Sequence, residues 1–261
     1  MKHFLEHNNI TVSHDTLLPN GLIIKKGSKV NTISSQGDFN GFRMRVPPAE
    51  FEALMLFNAI DSAQQAQLLK NEIKIIQSTF DGMKEIETSE DNMSIFFNMC
   101  QHAMAATTFS ISALESWANR SFLLHGRIGN EYMKLNIQRP NKPEREVSAD
   151  AIALDQQIPI RVKIFQLIPQ IFNVIPLKTH SKLRNSISEL VDERNIVMHM
   201  QAKLKISDNE LDRISYSIKL LKTDATKSPI NVLKYLNYVY KQSKINPPSW
   251  LEIAEKNLRI R

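Results

Sequence analysis

This chain of 261 residues has little cysteine, little glycine and no long apolar run. The single cysteine, Cys100, excludes an internal disulfide framework and is typical of a reducing compartment. Seven glycines are few for this length, which favours helices over a turn-rich β fold. No stretch reaches the roughly 18 apolar residues of a membrane span, and the N-terminal residues lack the apolar core of a signal peptide. We therefore expect a cytoplasmic protein with no membrane partner.

Motifs of several enzyme classes are also missing. The sequence contains no glycine-rich phosphate loop, no nucleophile elbow and no Cys/His cluster with the spacing of a zinc site. These absences argue against nucleotide-driven phosphoryl transfer, serine-hydrolase chemistry and zinc chemistry. We expect neither a metal nor a cofactor.

The positive charge is concentrated late in the chain. The net charge is +6, and residues 201–261 hold 12 Lys or Arg against 6 Asp or Glu, which accounts for the whole excess. A basic segment of this kind can bind a polyanion such as RNA. The alternative is a solvated, lysine-rich helical surface without a ligand.

The hydrophobic pattern divides the chain into two parts. Residues 1–46 carry short β-type runs separated by turn signals, which predict a small β-rich segment. Residues 47–261 predict a mainly α-helical domain with its core at about 91–200 and basic C-terminal helices over 201–261. The predicted helices cover about 48–80, 91–125, 151–175, 180–200, 208–222, 229–243 and 249–260, and the polar stretch 136–150 is predicted to be a loop.

The segment most informative about function is Glu193-Arg194-Asn195-Ile196-Val197-Met198-His199. An arginine can hold a phosphate through its planar fork, and a histidine can move a proton near neutral pH. Projection at about 100° per residue puts Arg194 in the middle of an apolar helix face, where a charge is costly unless it is paired or bound to an anion. The same face carries Leu183, Ile187, Leu190, Val191, Val197 and Met198, and Asn195 and His199 lie on the opposite side. Arg194 and His199 could therefore meet at one phosphate if the helix ends near His199, or if each works with its counterpart from a second chain.

This segment resembles the signature helix of the HEPN superfamily, in which an Arg is followed by a polar residue and, a few positions later, by a His. Arg194, Asn195 and His199 match all three positions. The runs 105–117 and 162–169 resemble two helices that precede the signature helix in that family, so the resemblance covers about residues 91–200. It implies a HEPN-like helical bundle, here with a short N-terminal β segment and additional C-terminal helices.

Many HEPN domains are metal-independent endoribonucleases of toxin–antitoxin and anti-phage systems, and they usually dimerise so that two motifs face each other across a cleft. The resemblance implies that His199 is a general acid or base, that Arg194 stabilises the transition state and that Asn195 orients one of them, leaving a 2′,3′-cyclic phosphate. It also implies RNA as substrate, a homodimer, and an antitoxin or other regulatory protein as a further partner. The family contains non-catalytic members, so an RNA- or protein-binding module is the alternative.

Other residues have two interpretations each. Glu115 could support the site by anchoring Arg194 or tuning His199, whereas an Arg194–Glu115 pair could equally be structural. Arg120 and His125 repeat the Arg/His spacing, but His125 falls on an apolar helix face and is expected to be a core or capping residue. RNA-binding candidates, whose tyrosines could instead pack inward, are Lys234, Tyr235, Tyr238 and Lys241.

Overall fold

The beginning of the chain forms antiparallel β-structure in the computed structural model. The larger sheet has the order β1-β4-β5, with Phe4 opposite Gln36 and Phe39 opposite Phe42. A second, two-stranded sheet joins β2 to β3. The turn before β4 places Gly27 at φ +85°, which a residue without a Cβ adopts freely. The strands are β1 (Phe4–Thr11), β2 (Thr16–Leu17), β3 (Ile23–Ile24), β4 (Lys29–Phe39) and β5 (Phe42–Val46).

The chain divides into two units, Met1–Glu50 and Phe51–Arg261, each of which is described by itself. The structure describes residues 4–11, 16–17, 23–39, 42–46, 50–78, 83–138, 143–199 and 209–259. Side chains are described within 25–28, 50–78, 83–138, 143–198 and 216–258.

Two long antiparallel helices, α1 (Phe51–Glu72) and α2 (Glu90–His125), organise the second unit. Between them lies a hairpin of β6 (Ile75–Gln77) and β7 (Lys84–Ile86), in a region whose first part was predicted to be helical. The buried Asn92 side chain holds this connection, since it accepts from the amide of Lys74 and donates to the carbonyls of Lys74 and Glu87. Buried alanines along both helices allow their backbones to pack closely.

A β-rich connection follows α2. It contains β8 (Arg127–Ile128), β9 (Glu131–Tyr132), β10 (Lys134–Ile137), β11 (Arg145–Ser148) and the short α3 (Ala149–Leu154). The antiparallel pair β10–β11 occupies much of the stretch that was predicted to be a loop, and it buries Leu135 and Ile137 in the core. Polar residues alternate with these two, so the run lacks the apolar density by which a strand is recognised in sequence.

The next helical run changes its hydrogen bonding in the middle. It consists of α4 (Ile160–Val162), a π-helical segment (Lys163–Leu167) and α5 (Ile168–Phe172). Pro169 has no N–H, so the carbonyls of Phe165 and Ile164, four and five residues earlier, lose the donor that a helix would supply. The π segment lies where those donors are missing, and the amide of Ile168 bonds to the carbonyl of Lys163.

The remaining helices complete a mainly helical unit, which confirms the predicted fold class at that level. They are α6 (Lys182–His199), α7 (Asn209–Lys222), α8 (Lys227–Gln242) and α9 (Ser249–Arg259). The main core surrounds Trp117, whose indole N–H donates to the Tyr240 hydroxyl over 2.9 Å and whose ring stacks on Phe172. A smaller apolar cluster joins α1 and α2 to α7 around Met99 and Tyr216. None of the helices in the described part of the chain is long and apolar enough to cross a membrane.

Candidate functional site

The Arg194 segment lies on α6, whose inner face packs against α2, α4 and α8. Ile187, Leu190 and Val191 are buried there, as the helical projection predicts. Met198, which the projection placed on the same face, is 55% exposed, so that part of the prediction is wrong. Fewer side chains of the apolar face are therefore buried toward the end of α6, and Arg194 lies where this burial decreases.

Arg194 is held at the boundary between core and surface. Its Nη2 lies 3.4 Å from Oε2 of Glu115 on α2, and the two side chains are 27% and 35% exposed. A charge-assisted hydrogen bond between such groups is normally about 2.7–2.9 Å long, so this pairing holds the guanidinium loosely. The arginine is thus neutralised by a neighbouring helix yet open enough to meet a second anion.

A buried lysine lies next to this pair. Lys163 of the π-helical segment is 1% exposed, and its ammonium donates to Oδ1 of Asn119 over 2.9 Å. Burial lowers the pKa of Lys163, while the carboxylates of Glu115 and Asp155 act in the opposite direction. Because Asn119 is one helical turn from Glu115, α2 presents a carboxylate and an amide to two cations of neighbouring elements.

The acidic residues that flank Arg194 in sequence are paired elsewhere. Asp192 accepts from Arg161 over 2.6 Å, and Arg161 also donates to the carbonyl of Ser188. Glu193 accepts from Lys219 of α7 over 2.8 Å. Among the described side chains, Glu115 is therefore the carboxylate that contacts Arg194, which agrees with the pairing considered from the sequence.

The structure does not bring Asn195 or His199 into contact with Arg194 among the described side chains. Asn195 is half-buried. The helix α6 ends at His199, whose side chain lies outside the described residues. On a regular helix, positions 194 and 199 are separated by about 140° around the axis and about 7.5 Å along it. A single copy of α6 thus directs the two positions to different sides.

The second Arg/His pair has structural partners. Arg120 forms an ion pair with the buried Glu52 of α1, at 2.5 Å between Nη1 and Oε1. His125 is the last residue of α2, and its ring packs against Phe172 of α5. Burial, and secondarily the positive charge of Arg120, lower the pKa of His125. This pair links helices, as expected for core or capping residues.

The structure separates the four RNA-binding candidates on α8. Tyr235 is 2% exposed and its hydroxyl donates to the carbonyl of Ile164, so its ring cannot stack on a base, and its assignment to RNA binding is wrong. Tyr235 fills the main core because its position follows the apolar stripe of α8. In contrast, Lys234 and Lys241 are exposed and Tyr238 is half-buried, and all three line a groove against α6.

Two residues near Arg194 were not identified from the sequence as parts of this region. Lys163 contacts α2, which carries Glu115, and Arg161 contacts Asp192 on α6. The feature of the sequence that could have identified them is a pair of cations within an otherwise apolar helical run, because each charge there requires a partner from another element.

Among the described residues, no group of three or more His, Cys, Asp or Glu side chains is arranged to hold a metal ion. Comparison with family models, with curated proteins and with solved structures gives no match to this chain.

Proposed function

We propose that this protein is a HEPN-like endoribonuclease that cleaves RNA without a metal, using Arg194, Asn195 and His199 at a site shared by two copies of the chain. The observation that carries the proposal is the position of Arg194, half-buried and held by Glu115 over 3.4 Å. A phosphate would compete well for such a guanidinium, because the fork can bind two oxygens at once. The buried ammonium of Lys163 adds positive potential nearby.

In the proposed reaction, the ribose 2′-oxygen attacks the adjacent phosphorus and loses its proton to a general base. The bond from phosphorus to the 5′-oxygen breaks, and that oxygen receives a proton from a general acid. The products are a 2′,3′-cyclic phosphate and a 5′-hydroxyl. His199 supplies one of the two proton transfers, and Arg194 stabilises the charge that develops on the phosphoryl oxygens.

Helix geometry supports the proposed dimer. Since positions 194 and 199 diverge by about 140° on one helix, the Arg194 of one copy and the His199 of the other would meet at one phosphate. Glu115 is a positioning residue in this scheme, because it acts through its contact with the Arg194 guanidinium. A toxin or anti-phage role, and an antitoxin as partner, belong to the same proposal.

The test is cleavage of single-stranded RNA in EDTA by the wild type, Arg194→Ala and His199→Ala, with the mass of each measured by size exclusion. We expect losses of about 10²-fold or more for either variant with the dimer intact. Arg145→Ala and His180→Ala are matched controls at exposed positions and should retain activity. Equal cleavage by the wild type and both site variants would refute the proposal.

Mixing the two inactive variants tests the shared site directly. A heterodimer of Arg194→Ala and His199→Ala contains one site in which both residues are intact, but only if the residues come from different copies. Random exchange should then restore about a quarter of the wild-type activity. No recovery, in a mixture shown to exchange subunits, would place both residues of a site on one chain.

A second candidate is a non-catalytic HEPN-like module that binds RNA or a protein. The Arg194–Glu115 pair itself favours it, because a helix-to-helix ion pair can serve stability alone. Bound but uncleaved RNA, together with an Arg194→Ala variant that loses its fold, would favour this candidate over the nuclease.

A further inference from the structure

A basic groove lies between the start of α6 and the outer face of α8. Its volume is about 510 Å³, in the range of sites that bind small molecules or short segments of a larger ligand. The cations come from both helices, Lys182 from α6 and Lys234 and Lys241 from α8. They are joined by polar groups of Ser186 and Asn231.

The three lysines of this groove are unpaired. None of the lining residues is acidic, and none of the three lysines makes an ion pair with any residue of the described chain. One carboxylate lies beside the groove, since the amide of the lining residue Asn237 donates to Glu255. Three other cations of the helical unit, Arg161, Lys219 and Lys256, do form ion pairs. Three ammonium groups around one concave surface favour a ligand with more than one negative charge.

One wall of the groove is aromatic. The ring of Tyr238 is half-buried, and its hydroxyl donates to the carbonyl of Ile175 over 2.7 Å in an exposed hydrogen bond. Lysines together with an aromatic side chain are typical of surfaces that bind single-stranded nucleic acid, by phosphate contacts and by contact with a base. An acidic peptide would use the lysines but would gain less from the ring.

We propose that the α6–α8 groove binds the phosphate backbone of single-stranded RNA independently of its sequence. This inference rests on the proposed function for its choice of RNA as the polyanion. Along α6, Lys182 and Arg194 are separated by about 18 Å. One strand can span that distance, since single-strand-binding modules cover roughly 4–16 nucleotides. The groove therefore holds the substrate away from the bond that is cleaved.

The test measures binding in a background that leaves the RNA intact. In His199→Ala protein, the groove variant Lys182→Gln/Lys234→Gln/Lys241→Gln is compared with Lys74→Gln/Lys84→Gln/Lys134→Gln. The second triple variant loses the same charge at exposed positions on or beside the hairpins. The probe is a fluorescent single-stranded RNA of about 16 nucleotides, followed by anisotropy across a range of salt concentrations.

We expect the groove variant to bind at least about tenfold more weakly at low salt. Its slope of log affinity against log salt concentration should fall by about 2, since three phosphate contacts on a single strand are lost. The matched control should keep the wild-type affinity and slope. Equal affinities of the two triple variants would overturn the proposal, as would polyglutamate or duplex RNA binding the groove as tightly as the single strand does.

The cleavage assay separates this inference from the proposed function. If the groove contributes to substrate binding, the groove variant raises KM for long RNA and leaves kcat unchanged. If no RNA is cleaved by the wild type but the groove variant still loses binding, the nuclease proposal fails and the groove assignment stands. If cleavage depends on Arg194 but the affinity for RNA does not depend on the groove lysines, only the groove assignment fails.

Discussion

Removing the hydroxyl of Tyr235 should destabilise the protein, although the group is a single oxygen. The phenol of Tyr235 is 2% exposed, and its O–H donates over 2.5 Å to the carbonyl of Ile164 in the π-helical segment. Five residues later stands Pro169, which has no N–H to offer that carbonyl. Burial also raises the pKa of Tyr235, so the phenol stays protonated and remains a donor. The hydroxyl thus replaces a missing backbone donor.

In Tyr235→Phe, the carbonyl of Ile164 loses this donor in a dry environment. An unsatisfied buried polar group costs about 1–3 kcal/mol. For a helical unit of this size, each kcal/mol corresponds to roughly 2–4 °C in Tm, so Tm should fall by about 2–12 °C. Urea denaturation should report the same loss as a lower midpoint with an unchanged slope.

Tyr238→Phe is the matched control. Its hydroxyl also donates to a backbone carbonyl, that of Ile175, over 2.7 Å, but the bond is exposed and water can replace it. We expect a change within about 0.5 kcal/mol. If Tyr235→Phe were as stable as Tyr238→Phe, the account of the π-helical segment would be wrong. RNA affinity should not change in Tyr235→Phe, because the ring is in the core.

Two further predictions concern groups whose pKa is shifted. Burial raises the pKa of Cys100 to about 11, so at pH 8 its thiol should react with a disulfide reagent about 100-fold more slowly than an ordinary cysteine. The folded state favours the neutral thiol, so this contribution to the free energy of unfolding should be lost as pH rises from about 9 through 11. A reactivity midpoint near pH 9 in the folded protein would contradict this. Burial and then Arg120 lower the pKa of His125, so stability should fall as pH drops below about 6.5, where only the unfolded chain takes up the proton readily. An NMR titration midpoint for His125 at or above 6.5 would contradict that assignment.

The sequence predicted the helices of the second unit well where apolar residues recur at helical spacing. The helix α6 is the clearest case, because Ile187, Leu190 and Val191 fix which face is inward and leave Arg194 beside them. Met198 breaks the pattern, since the neighbouring elements no longer cover that side of α6 near its end. Periodicity shows which residues share a face of the helix. How much of that face is buried depends on the tertiary contacts with neighbouring elements, which the periodicity does not contain.

The strands that the sequence missed are short or mixed in composition. The hairpin of β6 and β7 follows α1 without a change in apolar content, so helical periodicity was extended through it. In β10, burial alternates over only four residues. Runs of this length carry too little pattern to separate a strand from a loop. The pairing partner across the turn decides the structure.

The π-helical segment shows why Lys163 and Tyr235 could not be assigned from the sequence. Pro169 signals a disturbed helix, but it does not indicate which group replaces the lost donors. That group is Tyr235, from a helix about seventy positions later. The same disturbance lies beside Lys163, whose ammonium reaches Asn119 on α2. Long-range partners of this kind are set by packing, and single-helix projections do not contain them.

The arrangement around Arg194 also explains how an apolar helix face can carry an arginine. A lone buried cation would be prohibitively unfavourable, whereas here Glu115 offsets the charge and 27% of the side chain still meets solvent. The carboxylates of Glu115 and Asp155 both act on Lys163, while Asn119 satisfies its ammonium. Glu115 is thus shared between Arg194 and Lys163, and its 3.4 Å contact leaves part of the Arg194 fork open to a further acceptor. In the proposed function that acceptor is a phosphate oxygen of the RNA.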